Sequence, residues 1–365
     1  MHQAKRTASV VFTFVVLLLL SMPNHVSAQA VDVYQAEHHW RAALSKGSAD
    51  KDIAVLAFLA GRAAGAYGDI VLAEEAFASA LEASEASNSM ALTAASASEL
   101  ANLLRIKGKR RDAIALADRI DQQMLQLKLP IEPGVRRAWA YLLLSSAKAH
   151  MDMTSLKKAE IQAKRALSIA PLESDSASVR AGSYDILSAS LAQRGQVEQA
   201  LKLAETAARE LVALQGVKAE YLTNAHFRLA QYHFKANPKA KSFDNIPADL
   251  LQDLLYRDAP DRTRYQASIV KRPAISISPT ARINRQQGVI IIELDLNRDG
   301  SVQASRLIRS NTSKLVNKAV LKGVKAWHFT PAAMDEPDIR AGLRIAYYYF
   351  VTIRNTNTQP LRRIP

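Results

Sequence analysis

One spacing recurs through the first two thirds of the chain and limits what that part can fold into. Ala73, Phe77 and Ala80 stand at i, i+4 and i+7; Ala113, Ala117 and Ile120 repeat the pattern, then Ala159, Ala163 and Ala166, then Ala200, Ala204 and Ala207. Residues three and four apart share one face of a helix. A face of alanines lets a neighbouring helix approach closely. Gly68, Gly108 and Gly195 each fall five residues before a set, where a left-handed residue ends one helix before the next begins. The segment from about Trp40 to Phe234 is rich in Ala and Leu and poor in Gly and Pro. It predicts four helical hairpins, and a last helix from about Ala219 to Phe234.

These residues resemble the tetratricopeptide repeat, whose second helix carries small residues at this spacing. Gly61 stands where that family places its first-helix glycine, and Pro171 where it places its closing proline. The sets here are 40, 46 and 41 residues apart, against about 34 in the family. Only the first has the aromatic. The resemblance implies an all-α solenoid over residues 31–235, with a groove for a protein or peptide ligand. A generic helical bundle is the alternative.

The N-terminus reads separately. Lys5 and Arg6 precede an apolar run from Ala8 to Leu20, followed by Pro23 and by Val26-Ser27-Ala28. That is the layout of a secretory signal peptide, residues 1–28, cleaved between Ala28 and Gln29. The mature chain is then expected in the periplasm. The alternative keeps the segment as a single inner-membrane anchor, though the run is shorter than the roughly 20 residues a spanning helix needs. The chain has no cysteine, which excludes disulfides, thiol nucleophiles and thiolate metal sites.

Charge is unevenly distributed. The chain is +14 overall; from Arg262 onward 18 lysines and arginines face 6 acids, a net +12. Such a surface suits an acidic partner or a lipid surface, and export argues against nucleic acid.

At Gly288 the pattern changes. Val289 to Leu296 is apolar with Glu293 and Asp295 alternating, as in a strand. Asn297-Arg298-Asp299-Gly300 makes a tight turn. Ser301 to Ile308 returns. A cluster at Ser310–Ser313 can cap a helix from Lys314 to about Ala326. That helix carries Val316, Val320, Val324 and Trp327 on one stripe and Lys314, Lys318, Lys322 and Lys325 on the other. A last strand follows, about Gly342 to Ile353. Tyr347 to Phe350 alternate along it, two toward the helix and two away, as interface or as cover for the sheet.

Gly288-Val289, Asp299-Gly300, Ser310, Trp327-His328-Phe329-Thr330-Pro331-Ala332 and Phe350 together resemble the C-terminal domain of TonB-family proteins, over about residues 269–353. Ser278 before Pro279, and Glu336, depart from the family pattern. The resemblance implies a small α+β domain that grips envelope proteins, including N-terminal segments of outer-membrane TonB-dependent transporters. It implies no enzyme activity and no cofactor. The partner site it points to is the last strand, Leu343, Arg344, Ile345, Ala346, Tyr347 and Tyr348, flanked by Lys314, Lys318 and Lys322. Arg340 and Arg344 would add to the attraction for an acidic peptide. A membrane-anchored energy transducer and an envelope adaptor without a transport role are the alternative functions.

The remaining signals are weaker. Asp295-x-Asn297-x-Asp299-Gly300 copies the start of a calcium loop, but Arg306 occupies the position of its bidentate Glu, so a plain turn is expected. His226 and His233, and His38-His39, lack zinc-ligand spacing. The expected architecture is multidomain: signal peptide, helical array, a linker with a short helix over 236–268, the α+β domain, and a tail over 354–365.

Overall fold

The computed structural model describes residues 33–127, 131–214, 217, 219–236, 246–256, 267–277, 287–333, 337 and 339–349. The signal segment with Ala28 and Gln29, Ser278, Pro279, Glu336, Phe350 and the tail lie outside them. The chain divides into two compact units, residues 1–195 and 196–365. The sequence reading drew its boundary at 235, so α9 and α10 below fall in the second unit.

The first unit holds α1 (Val33–Ser45), α2 (Asp50–Tyr67), α3 (Ile70–Ala86), α4 (Met90–Ile106), α5 (Arg110–Leu125), α6 (Pro133–Asp152), α7 (Leu156–Ile169) and α8 (Ala177–Gln193). Each of these helices packs on its sequence neighbour, and α2, α4, α6 and α8 also meet in succession. Consecutive hairpins therefore stack in the tetratricopeptide-like manner. The repeated residues at 73–80, 113–120 and 159–166 are at most 3% exposed. A Cβ built on Gly61 would lie 2.8 Å from the Phe77 ring, so this glycine lets α2 close on α3. Gly68 and Gly108 take positive φ in their turns, and in the third hairpin Thr154 does so at φ 58. One polar network is buried here. Asp121 accepts from Trp139 Nε1 at 2.9 Å and from Arg165 at 2.5 and 2.8 Å, tying α5, α6 and α7 together.

The second unit opens with α9 (Val197–Ala213), α10 (Ala219–Ala236) and α11 (Ala248–Tyr256). Ala200, Ala204 and Ala207 are buried on α9. Then come β1 (Ile269–Lys271), β2 (Gly288–Asn297), β3 (Val302–Ser310), α12 (Lys314–Gly323) with a 3-10 turn to Ala326, β4 (His328–Phe329) and β5 (Ile339–Tyr349). β2 is the centre of an antiparallel sheet ordered β3-β2-β5, while β1 pairs with β4 in a small separate ladder. The sequence did not mark β1 and β4, which are too short for a periodic signal.

The β2–β3 turn forms as its residues require. Gly300 has φ 85 and a Cβ there would sit 2.0 Å from the Phe329 carbonyl oxygen. Both the backbone conformation and the close approach demand glycine. Ser313 caps α12, accepting from the Val316 amide at 3.4 Å. One face of the sheet, through Ile290, Ile292, Leu294 and Leu296, packs with Val316, Val320, Val324, Trp327 and Phe329. The opposite face, through Val289 and Ile291, packs with Leu255 and Tyr256 of α11 and with Phe227 of α10. The sheet packs on α12 as expected, and a second helical layer covers its other face.

Candidate partner-binding edge

β5 lies at one edge of the three-stranded sheet, paired on its other side with β2 from Gly288↔Tyr349 to Asn297↔Ile339. Its side chains alternate as a strand's must. Leu343, Ile345, Tyr347 and Tyr349 belong with the α12 face, while Ala346 and Tyr348 belong with the α10–α11 face. The choice between interface and sheet cover is thereby resolved for Tyr348. Its hydroxyl lies 2.6 Å from His226 Nε2, and burial pushes its phenol up. His226 is fully buried; burial first, and the Arg309 charge second, push it down to about 3. Tyr347 is only partly covered, with the Arg272 guanidinium 5.7 Å from its ring.

Two arginines expected at the partner surface are not there. Arg344 is 7% exposed. Its Nε donates to Glu293 Oε2 at 3.1 Å, its Nη1 to the Leu255 carbonyl at 2.9 Å, and its backbone N–H to the Tyr256 hydroxyl at 2.8 Å. Glu293, 2% exposed, also accepts from Arg306. A buried carboxylate needs such charge-assisted partners, and that need draws Arg344 inward. Arg340, 1% exposed, donates to the Thr330 carbonyl. Both therefore hold the unit together, and sequence alone does not separate them from solvent-facing arginines. The lysines behave as expected. Lys314, Lys318 and Lys322 of α12 and Lys325 in the turn after it are exposed.

The acidic turn residues have partners within the chain. Asp295 Oδ1 accepts from the Gly342 amide and from Arg306, each at 3.0 Å. Asp299 Oδ1 accepts from the Ser301 amide at 2.9 Å and its hydroxyl at 2.6 Å, and these bonds hold its carboxyl below the usual range. Among the described residues no group of three or more His, Asp or Glu side chains is placed to hold a metal ion. Nor, among them, is any helix long and apolar enough to cross a membrane.

The covering role of α10 and α11 was the main feature missed. Its signal was present in Leu250, Leu251, Leu254 and Leu255, an apolar pattern too broad for one contact face. Leu250 and Leu254 are buried along with Leu255 and Tyr256.

Comparison with known proteins bears on the same segment. No curated protein matches the chain. Among solved structures it is similar to BtubC (BKLC) from P. vanneervenii, at 16% identity and a TM-score of 0.48, over 68% of this chain and 98% of that one. The family model for the Gram-negative bacterial TonB protein C-terminal matches residues 278–349. The C-terminal segment thus matches the TonB C-terminal domain, and it is set behind helical hairpins of tetratricopeptide-like form.

Proposed function

We propose that this is a periplasmic protein of the cell envelope that works by binding other proteins, and that β5 takes an extended partner segment as an added strand. The observation that carries the reading is the sheet order, with an eleven-residue strand at the edge. Backbone pairing along such an edge gives affinity with little demand on the partner's side chains. In the β2–β5 register Glu293 faces Arg344, and the Arg344 N–H bonds outside that pair. The Ala346 N–H, two residues on, therefore also points away from β2. The exposed lysines of α12 favour an acidic segment, chiefly by speeding encounter. N-terminal segments of outer-membrane transporters are the partners the family match suggests, and the helical hairpins offer room for a second protein or peptide ligand.

The test is titration of the mature chain with such N-terminal peptides, for the parent and for Ala346→Pro. Proline removes the outward donor, so a loss of about tenfold or more is expected, and affinity should fall as salt is raised. Equal binding by a folded Ala346→Pro chain would exclude strand addition at this edge.

A further inference from the structure

We infer that the C-terminal end of α11 is an intramolecular latch on β5, occupying a backbone donor that an incoming strand needs and so restraining partner binding until α11 shifts. This rests on the strand-addition reading above and concerns its regulation.

The geometry converges on Arg344. Its backbone N–H donates to the Tyr256 hydroxyl at 2.8 Å. An amide aimed at that oxygen cannot also bond to β2, so it belongs to the outer row of the strand, the row a partner would pair with. The same residue's guanidinium donates to the Leu255 carbonyl at 2.9 Å. That carbonyl is in the last turn of α11, where acceptors have no partner within the helix. The guanidinium carbon also lies 5.7 Å from the centre of the Tyr256 ring. One edge residue thus holds the end of α11 by backbone, by charge and by ring contact.

The latch is also seated. Leu255 and Tyr256 are 5% and 2% exposed and pack with Val289 and Ile291 on the sheet. Glu293 keeps Arg344 turned toward them, accepting from its Nε at 3.1 Å. The capping hydroxyl sits on a helix whose end reaches the edge strand, and native proteins often protect open edges with such a cover. A partner strand pairing at Arg344 must take the N–H from Tyr256, and its binding should therefore loosen α11.

Tyr256→Phe in the full mature chain tests this, because it deletes the acceptor and keeps the ring. Amide exchange at Arg344 should accelerate, and a transporter N-terminal peptide should bind about 3- to 10-fold more tightly, the worth of one ordinary hydrogen bond. In the parent chain, saturating peptide should speed amide exchange in α11, and this second measurement decides the matter should the variant fail to fold. Unchanged exchange and unchanged affinity in a folded Tyr256→Phe chain, or unchanged α11 exchange in the peptide-bound parent, would overturn the latch. Strand addition would survive that result if Ala346→Pro still abolished binding. Absence of peptide binding by every chain would overturn strand addition and the latch with it.

Discussion

The two units solve the same burial problem in opposite ways. In the first, helices pack mainly on their sequence neighbours, and the interface is a repeated alanine spacing. In the second, β2 is enclosed on both faces by residues from distant parts of the chain: α12 and Trp327 on one side, α10 and α11 on the other. Local contacts make the first unit additive, with each hairpin a similar module. The second is indivisible, because no single hairpin in it covers both faces of its sheet. A chain can lose or vary a module in the one; in the other, each covering element is a condition of the fold.

Cutting the chain gives the largest expected difference. The C-terminal pattern alone suggests that residues 262–365 should fold independently. The structure leaves that fragment without α9, α10 and α11, uncovering Val289 and Ile291, both fully buried. At about 1.5–3 kcal/mol for each large apolar side chain returned to water, those two residues alone cost roughly 3–6 kcal/mol. That is comparable to the whole stability of a small domain. Thermal melts should show residues 196–365 unfolding cooperatively, and 262–365 melting far lower or without a transition. Equal melting temperatures would mean that the α10–α11 cover is dispensable.

The same contrast explains what was legible in the sequence. The hairpins could be read because Ala73, Ala113, Ala159 and their partners are local and periodic, and small residues at helical spacing have few other uses. The α12 face was legible for a similar reason: Val316, Val320 and Val324 align, and Trp327 and Phe329 follow at once. The opposite face of the sheet could not be read the same way. Its cover is supplied by Phe227, Leu255 and Tyr256, which lie well upstream and carry no spacing that refers to β2. Arg344 was misplaced for the same cause, since a buried arginine is marked by its partners Glu293 and Leu255, and these are brought to it only by the fold. The cap on the Arg344 amide could not be read either, since it joins β5 to Tyr256 of a distant element.

Acid should weaken the second unit through His226, an intermediate effect. In the fold its ring faces Tyr348 of β5 and the Arg309 charge of β3, and it stays neutral down to about 3. The unfolded chain takes up a proton near the ordinary value of about 6.5. Between those values the unfolded state binds more protons, so stability is present above about 6.5 and is lost as pH falls toward 3. At pH 5 the loss is about 2 kcal/mol. Burial lowers His233 as well, which adds in the same direction. Denaturant unfolding of the chain at pH 7.5 and 5.0, beside His226→Gln, should show the variant with the flatter pH dependence. Parallel slopes for the two would remove His226 from the account.

The smallest effect belongs to the first unit and has the opposite sign. Its hairpin turns place glycine five residues before the repeated set at Gly68 and Gly108, with φ of 95 and 80. The third hairpin places Thr154 there, at φ 58, a conformation in which a β-branched side chain is crowded. Its hydroxyl donates to the Met153 carbonyl at 2.7 Å and is exposed, so little is lost by removing it. Left-handed backbone costs a non-glycine residue about 1–2 kcal/mol, while glycine gives up about 0.5–1 kcal/mol more chain entropy on folding. Thr154→Gly should therefore stabilise the chain by about 0.5–1 kcal/mol, seen as a higher urea midpoint with an unchanged slope. The gain is small because the turn is one module among several, and it should appear without any change in the unfolding of residues 196–365. A midpoint that stayed level or fell would show that this turn is held by its threonine rather than strained by it, and that the hairpins are less interchangeable than their alanines imply.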